Sequence, residues 1–384
     1  MRRFANRAGR RNAHRRLREM TRLGLIVNPI AGLGGRVGLK GTDGADTVRE
    51  ALSRGATPVA PERAARALAR LAASVEDLEV LTPAAQMGAD VVRAHGLRLE
   101  PLDVGVARET TAEDTRAAAA ELERRGVDLI LFAGGDGTAR DVVATVGTRV
   151  PVLGIPTGVK MHSGVFATSP EAAGDLAASH LAGRSADLRA AEVLDLDEPD
   201  GRLSPHLYAI ANVPYDRRRL QHPKAASRPA DDALEALCAE VARELRGLAI
   251  FGPGTTTQRV LAKLGVEGSL LGVDAVADGR LVGRDLDEAG LLRVLDGRDA
   301  RLVLGVVGGQ GYVFGRGNQQ LSPAVIRAVG LDRIDILASL EKLVALDPML
   351  LRVDTGDPRL DRELSGYRRV RVAPARSVVL ELTT

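Results

Sequence analysis

Val127-Asp128-Leu129-Ile130-Leu131-Phe132-Ala133 runs directly into Gly134-Gly135-Asp136-Gly137-Thr138. The first seven residues are almost wholly apolar and read as a buried strand. The five that follow read as a tight polar turn opening a helix near Thr138. Three glycines in such a turn are expected to supply positive φ and to let the backbone come close to a ligand. Turn amides followed by a helix N-terminus favour phosphate. A carboxylate there is repelled by phosphate unless it binds a metal or takes a proton from an attacking hydroxyl, so Asp136 points to phosphoryl transfer. The competing reading is a plain helix cap.

Upstream, Leu23 to Val27 reads as a buried strand entering Asn28-Pro29-Ile30-Ala31-Gly32-Leu33-Gly34-Gly35 and a glycine-rich loop to Gly44, with loop chemistry continuing to about Gly55. Helical spacing covers Pro58 to Ala73. A short strand at Leu78 to Leu81, a helix from Thr82-Pro83 to Ala94 and a strand at Leu97 to Leu102 come next. Thr111-Ala112-Glu113-Asp114 resembles a capping box and opens a helix ending at Gly126. After the helix to Val146 comes a strand at Val150 to Ile155. This alternation predicts an α/β fold, a Rossmann-like parallel sheet with helices on both faces. Ligands of such sheets collect at the carboxyl ends of strands. Three loops leave strands at that end: Asn28 to Gly44, Gly134 to Thr138, and Pro156-Thr157-Gly158-Val159-Lys160-Met161-His162-Ser163-Gly164. Together they would line one crevice.

The rhythm changes near Ala190, and a domain boundary is placed at about 187. Strands are expected around Ala190 to Asp195 and His206 to Val213, a surface loop over Tyr215 to Arg228, and a helix from Ala230 to Arg246. Gly252-Pro253-Gly254-Thr255-Thr256-Thr257-Gln258 suits either nucleotide contact or a helix cap. Strands at Leu270 to Val276 and Arg301 to Val307 come next. The latter enters Gly308 to Gln320, which is rich in glycine and amide side chains, and Arg368 to Val372 alternates as a half-buried strand does. The expected organisation is a basic, disordered extension over 1–22, a nucleotide-binding domain over 23–187, and a β-rich domain containing helices over 188–384. The last part of that domain has the option of packing back on the first.

The chain has 384 residues and a formal net charge of +3, with nine arginines and one glutamate in Met1 to Arg22, so the remainder is mildly acidic. The basic head has no apolar stretch of signal-peptide type. It reads as an extension, an early start codon before Met20, or a nucleic-acid arm. No apolar run reaches the roughly 20 residues that span a bilayer, so no membrane partner is expected. The single cysteine, Cys238, excludes an intramolecular disulfide and points to a cytoplasmic setting. Six histidines with no pair at i, i+4 give no zinc pattern. Asp274, Asp354 and Asp357 follow or end strands; they suit ribose or magnesium, or simply turns.

Gly134 to Thr138 after a strand, with Asn28 to Gly35 on the first strand, resembles the NAD kinase and diacylglycerol kinase superfamily. Ile155 to Ala167, Phe251 to Gln258 and Gly308 to Pro323 are similar to its ATP-NAD kinase-like branch, and the likeness runs from about Leu23 onward. It implies a β-rich C-terminal domain, substrates in the interdomain cleft, and a homo-oligomer. It also implies transfer of the ATP γ-phosphoryl group to the 2′-hydroxyl of the NAD adenosine ribose, giving NADP, with magnesium assisting. Asp136 would be the base. Gly134, Gly135, Gly137 and Thr138 would meet phosphates, Asn28, Gly32 and Gly34 would form the opposite wall, and Lys160 would neutralise charge. Thr157, Thr255, Thr256, Gly309 and Gln310 complete the expected nucleotide contacts, and no metal ligand is assigned. The mainstream Asn-Glu or Asn-Asp pair for adenosine has its nearest counterpart in Ala211-Asn212-Val213, which lacks the acid. The acceptor (NAD, NADH or another hydroxyl compound) and the donor (ATP, another triphosphate or polyphosphate) stay open here. So do a lipid or sphingoid-base kinase and a nucleotide-binding regulatory protein of the same fold.

Overall fold

The computed structural model describes residues 20–39, 44–105, 110–158, 161–183, 188–197, 204–216, 219–220 and 232–384. Lys160, the arginine-rich residues 1–19, the boundary at 187 and most of the surface loop expected over 215–228 lie outside that set.

The first sheet has the order β3-β2-β1-β4-β5, with β1 Thr21–Val27, β2 Leu78–Thr82, β3 Arg98–Pro101, β4 Leu129–Gly134 and β5 Val152–Pro156. All its pairings are parallel. Helices α1 Ala45–Ser53, α2 Ala60–Ala72, α3 Ala89–Ala94, α4 Ala112–Arg125, α5 Asp136–Val146 and α6 Pro170–Leu181 connect and follow the strands. Helix α2 packs on α6 at one face, and α4 packs on α5 at the other. The central strands are apolar because both their faces are covered: Leu129 to Ala133 are fully buried. Strand order reverses between β1 and β4, which opens a crevice at their carboxyl ends.

The first domain departs from the sequence expectation at two places. The stretch expected to stay loop up to Gly55 contains α1. Glycines on both sides, Gly44 and Gly55 at positive φ, hid a short helix whose Val48 and Ala51 pack on Leu33 and Val37. The helix expected near Thr138 begins at Asp136 itself.

Strands β6 Leu188–Asp197 and β7 Ser204–Pro214 form an antiparallel hairpin. Its inward residues Ala191, Val193, Ala211 and Val213 join the core of the first sheet. The rest of the chain builds a nine-stranded mixed sheet of order β10-β9-β8-β11-β13-β15-β16-β14-β12. In chain order its elements are α7 Asp232–Glu244, β8 Leu248–Phe251, α8 Thr255–Lys263, β9 Asp274–Ala277, β10 Arg280–Gly283, α9 Glu288–Leu295, β11 Ala300–Gly305, β12 Tyr312–Phe314, α10 Pro323–Val329, β13 Ile334–Leu337, α11 Leu340–Val344, β14 Leu351–Val353, α12 Pro358–Leu364, β15 Gly366–Ala373 and β16 Arg376–Thr383. Side chains alternate across this sheet: Leu302 and Leu304 enter one core with Leu291 and Val325, whereas Val303 enters another with Leu237 and Val260. The strand expected from Leu270 begins only at Asp274. Leu270 is bent aside to accept the Gly254 amide at 2.9 Å.

Candidate functional site

Asn28, directly after β1, ties the first loop to α5 and β4 across the crevice between β1 and β4. The Asn28 amide nitrogen donates to Thr138 Oγ1 at 2.9 Å, and the Asn28 backbone amide donates to Ala133 O at 2.9 Å. Gly134 O is a hub beside them. It accepts from the backbone amides of Thr157 and Gly158 at 3.1 and 3.2 Å and from Thr157 Oγ1 at 2.9 Å, joining the loop after β5 to the one after β4.

The glycines act differently from the expectation. Positive φ occurs at Gly32 in the first loop but not at Gly134, Gly135 or Gly137. Gly135 is extended and caps α5, and Gly137 already lies within that helix. Gly134 is needed for space, since a Cβ there would collide with Thr138 Cβ and Oγ1. Gly134→Ala is therefore expected to cost about 1–3 kcal/mol of stability, read from urea denaturation midpoints. A wild-type midpoint would refute the steric account.

The N-cap of α5 is Gly135, which has no side chain to offer it, and the first-turn amides and positive dipole end of such a helix suit an anion. Asp136 is the first residue of this helix. Its Oδ2 accepts from the His162 backbone amide at 2.7 Å and lies 3.2 Å from His162 Nδ1, and its Oδ1 accepts from the Ser163 amide at 3.1 Å. The carboxylate is 14% exposed, and an ionised carboxylate offers about four acceptor positions, so Oδ1 keeps capacity for one more donor.

Family models match the chain over residues 23–185, as the ATP-NAD kinase N-terminal domain, and over 248–382, as the ATP-NAD kinase C-terminal domain. The chain belongs to the ATP-NAD kinase family. No curated protein sequence matches it. Solved structures of a protein named as a diacylglycerol kinase, from Bacillus anthracis strain Sterne, are similar to part of it. One has 17% identity and a TM-score of 0.25 over 48% of this chain and 46% of its own, and another has 17% and 0.24 over 48% and 47%. The chain thus spans about half the length of the solved structures it matches.

In this ATP-NAD kinase family chain the remaining expected residues fall into two groups. Gly32 packs so closely under the Thr157 carbonyl that a Cβ would overlap it. Gly34 is buried, and its carbonyl accepts from the Leu39 amide at 2.9 Å. Thr255 is exposed and Thr256 buried at the start of α8, beside Gly305 of the neighbouring β11. Gly309, at positive φ, precedes Gln310, whose side chain donates to Met161 O at 2.9 Å. That bond brings the second sheet onto the loop holding Asp136.

Sequence reasoning missed the junction behind the site. Asp354 pairs with Arg63 of α2 and, at 2.8 Å, with Arg316. Arg63 also donates to Pro156 O, while Arg316 Nη2 and the Tyr312 hydroxyl donate to Thr168 O. Burial alone would raise the Asp354 carboxyl; the charges of Arg63 and Arg316 outweigh it and bring it down to about 2. Asp361 takes bonds from Thr355, but burial dominates and holds it up at about 6. Asp274 is satisfied by Ser269 and the Asp285 amide, and Asp357 caps α12. Among the described residues no three His, Cys, Asp or Glu side chains gather as metal ligands.

Proposed function

We propose that the protein is an ATP-dependent kinase that phosphorylates the 2′-hydroxyl of the NAD adenosine ribose, giving NADP. The observation carrying this reading is the Asp136 carboxylate, oriented by two backbone amides at the uncapped start of α5 where strand order reverses. Membership of the ATP-NAD kinase family supports it. In this reading the part of the chain up to about residue 187 holds the nucleotide and the remainder holds the acceptor.

The α5 amides and Thr138 would receive phosphate oxygens. Asp136 Oδ1 would take the proton of the acceptor hydroxyl as its oxygen bonds the γ-phosphorus and the bond to the ADP oxygen breaks. Most of the rate gain would come from alignment and charge neutralisation. Magnesium fits as an ion carried by the phosphates, since it is commonly held with few protein ligands. Lys160 belongs to the same reading as a cation for the transferring group. A homo-oligomeric, cytoplasmic enzyme goes with it; no described helix is long and apolar enough to cross a membrane.

One observation favours a different acceptor. Asn212, the nearest candidate for the mainstream adenosine-binding asparagine, donates to Thr148 O at 2.9 Å. Thr148 lies two residues beyond the last residue of α5, Val146, at the end of a helix whose start, Asp136, is about 15 Å away along its axis.

The deciding experiment is a mass-spectrometric screen of NAD, NADH, nucleosides and sphingoid bases with ATP and magnesium. Phosphorylated NAD is expected. Another phosphorylated product without it would replace the acceptor, and nucleotide binding without any product would replace the enzyme by a regulatory protein.

A further inference from the structure

The seat of Asp136 is built from both halves of the chain. Its two carboxylate oxygens rest on the amides of His162 and Ser163, so the position of the 161–163 segment sets the position of the carboxylate. The hairpin holds this segment from one side, through Leu194 N to Ser163 Oγ at 3.0 Å and Gly164 N to Glu192 O at 2.8 Å. Gln310, 5% exposed, holds it from the other through Met161 O. Before the segment, Pro156 O is held by Arg63, itself oriented by Asp354 of the second sheet's side. After it, Thr168 O is held by Tyr312 and Arg316.

We propose that Gln310 and Arg63 are positioning residues, which hold the 161–163 segment in place for Asp136 when the C-terminal sheet is docked. The inference rests on the reading of Asp136 as the base. A primary amide at 310 supplies a donor to Met161 O, and the planar guanidinium at 63 serves a carboxylate and a carbonyl together. Lysine, a point charge on a flexible stem, does not reproduce that pairing.

The test uses the full chain carrying Gln310→Met or Arg63→Lys, with hydrogen exchange followed by mass spectrometry. Peptides containing His162 and Ser163 are expected to exchange about two- to tenfold faster in both variants, while the peptide over 129–134 keeps its wild-type rate. kcat should fall with them, and nucleotide KM should stay within about twofold. Unchanged exchange at 162–163, or a raised KM at constant kcat, would overturn the proposal. Exchange is measured without substrate. A wild-type protein that does not phosphorylate NAD would remove the functional reading and leave this result legible.

Discussion

Asp136→Asn is expected to lower kcat by about 100- to 10,000-fold, with substrate KM changed only a few-fold. The substitution keeps the side chain's size and removes its ability to take a proton. Its amide cannot accept at both positions, so one of the His162 and Ser163 amides loses its partner. That loss is expected to cost about 1–3 kcal/mol of stability, which denaturation measures separately from turnover. A plain helix cap predicts the stability loss with little change in kcat. Wild-type kcat in a folded Asp136→Asn protein would therefore sink the catalytic role.

Asp354→Ala is expected to destabilise the protein by about 3–5 kcal/mol. The Asp354 side chain is 1% exposed, and its partners Arg63 and Arg316 are 12% and 4% exposed. Removing the carboxylate leaves two guanidinium groups facing each other out of water. The exposed pair Arg49–Asp46 is a fitting control, because surface ion pairs are worth about 0–1 kcal/mol. A cost of that smaller size at 354 would show that the junction contributes little.

The acid limb gives a second handle on the same group. The Asp354 carboxyl lies at about 2 against an ordinary 3.8, so its stabilisation is present above 3.8 and is lost as pH falls toward 2. Asp361 acts with the opposite sign. At about 6 its protonated form is favoured in the fold, so stability from this group declines as pH rises from about 3.8 to 6. Each effect is on the order of 2–3 kcal/mol. Tm against pH should flatten below pH 4 in Asp354→Asn and between 4 and 6 in Asp361→Asn.

Contiguous features were readable from the residues. The run Leu129 to Ala133 followed by a glycine-walled aspartate carries strand, turn and candidate base within a dozen positions, and local pattern reports such things well. The glycines suggest positive φ, whereas Gly134 is required by the crowding of Thr138, and steric crowding leaves no trace in a φ-based argument. Helix α1 is hidden between Gly44 and Gly55, whose breaker signals outweigh a short apolar pair. Arg63 and Asp354 lie 291 positions apart. An ion pair has no period, and a lone arginine on an amphipathic helix reads as a solvated face. The missing acid beside Asn212 is visible in the sequence, whereas the bond from Asn212 to Thr148 O, 64 positions away, is not.

The order β15-β16-β14-β12 bears on how the protein is made. Strand β12, with Tyr312 and leading to Arg316, joins the sheet through β14, and β14 joins through β16. A ribosome adding about 5–20 residues per second completes the entire first sheet well before β16 emerges. The strand and helix that carry Asp136 are thus synthesised early, while the grip of Tyr312 and Arg316 on Thr168 O waits for the strand synthesised last among those described. A nascent chain of this kind would hold its nucleotide-facing loops in outline for many seconds before acquiring the side chains that steady them.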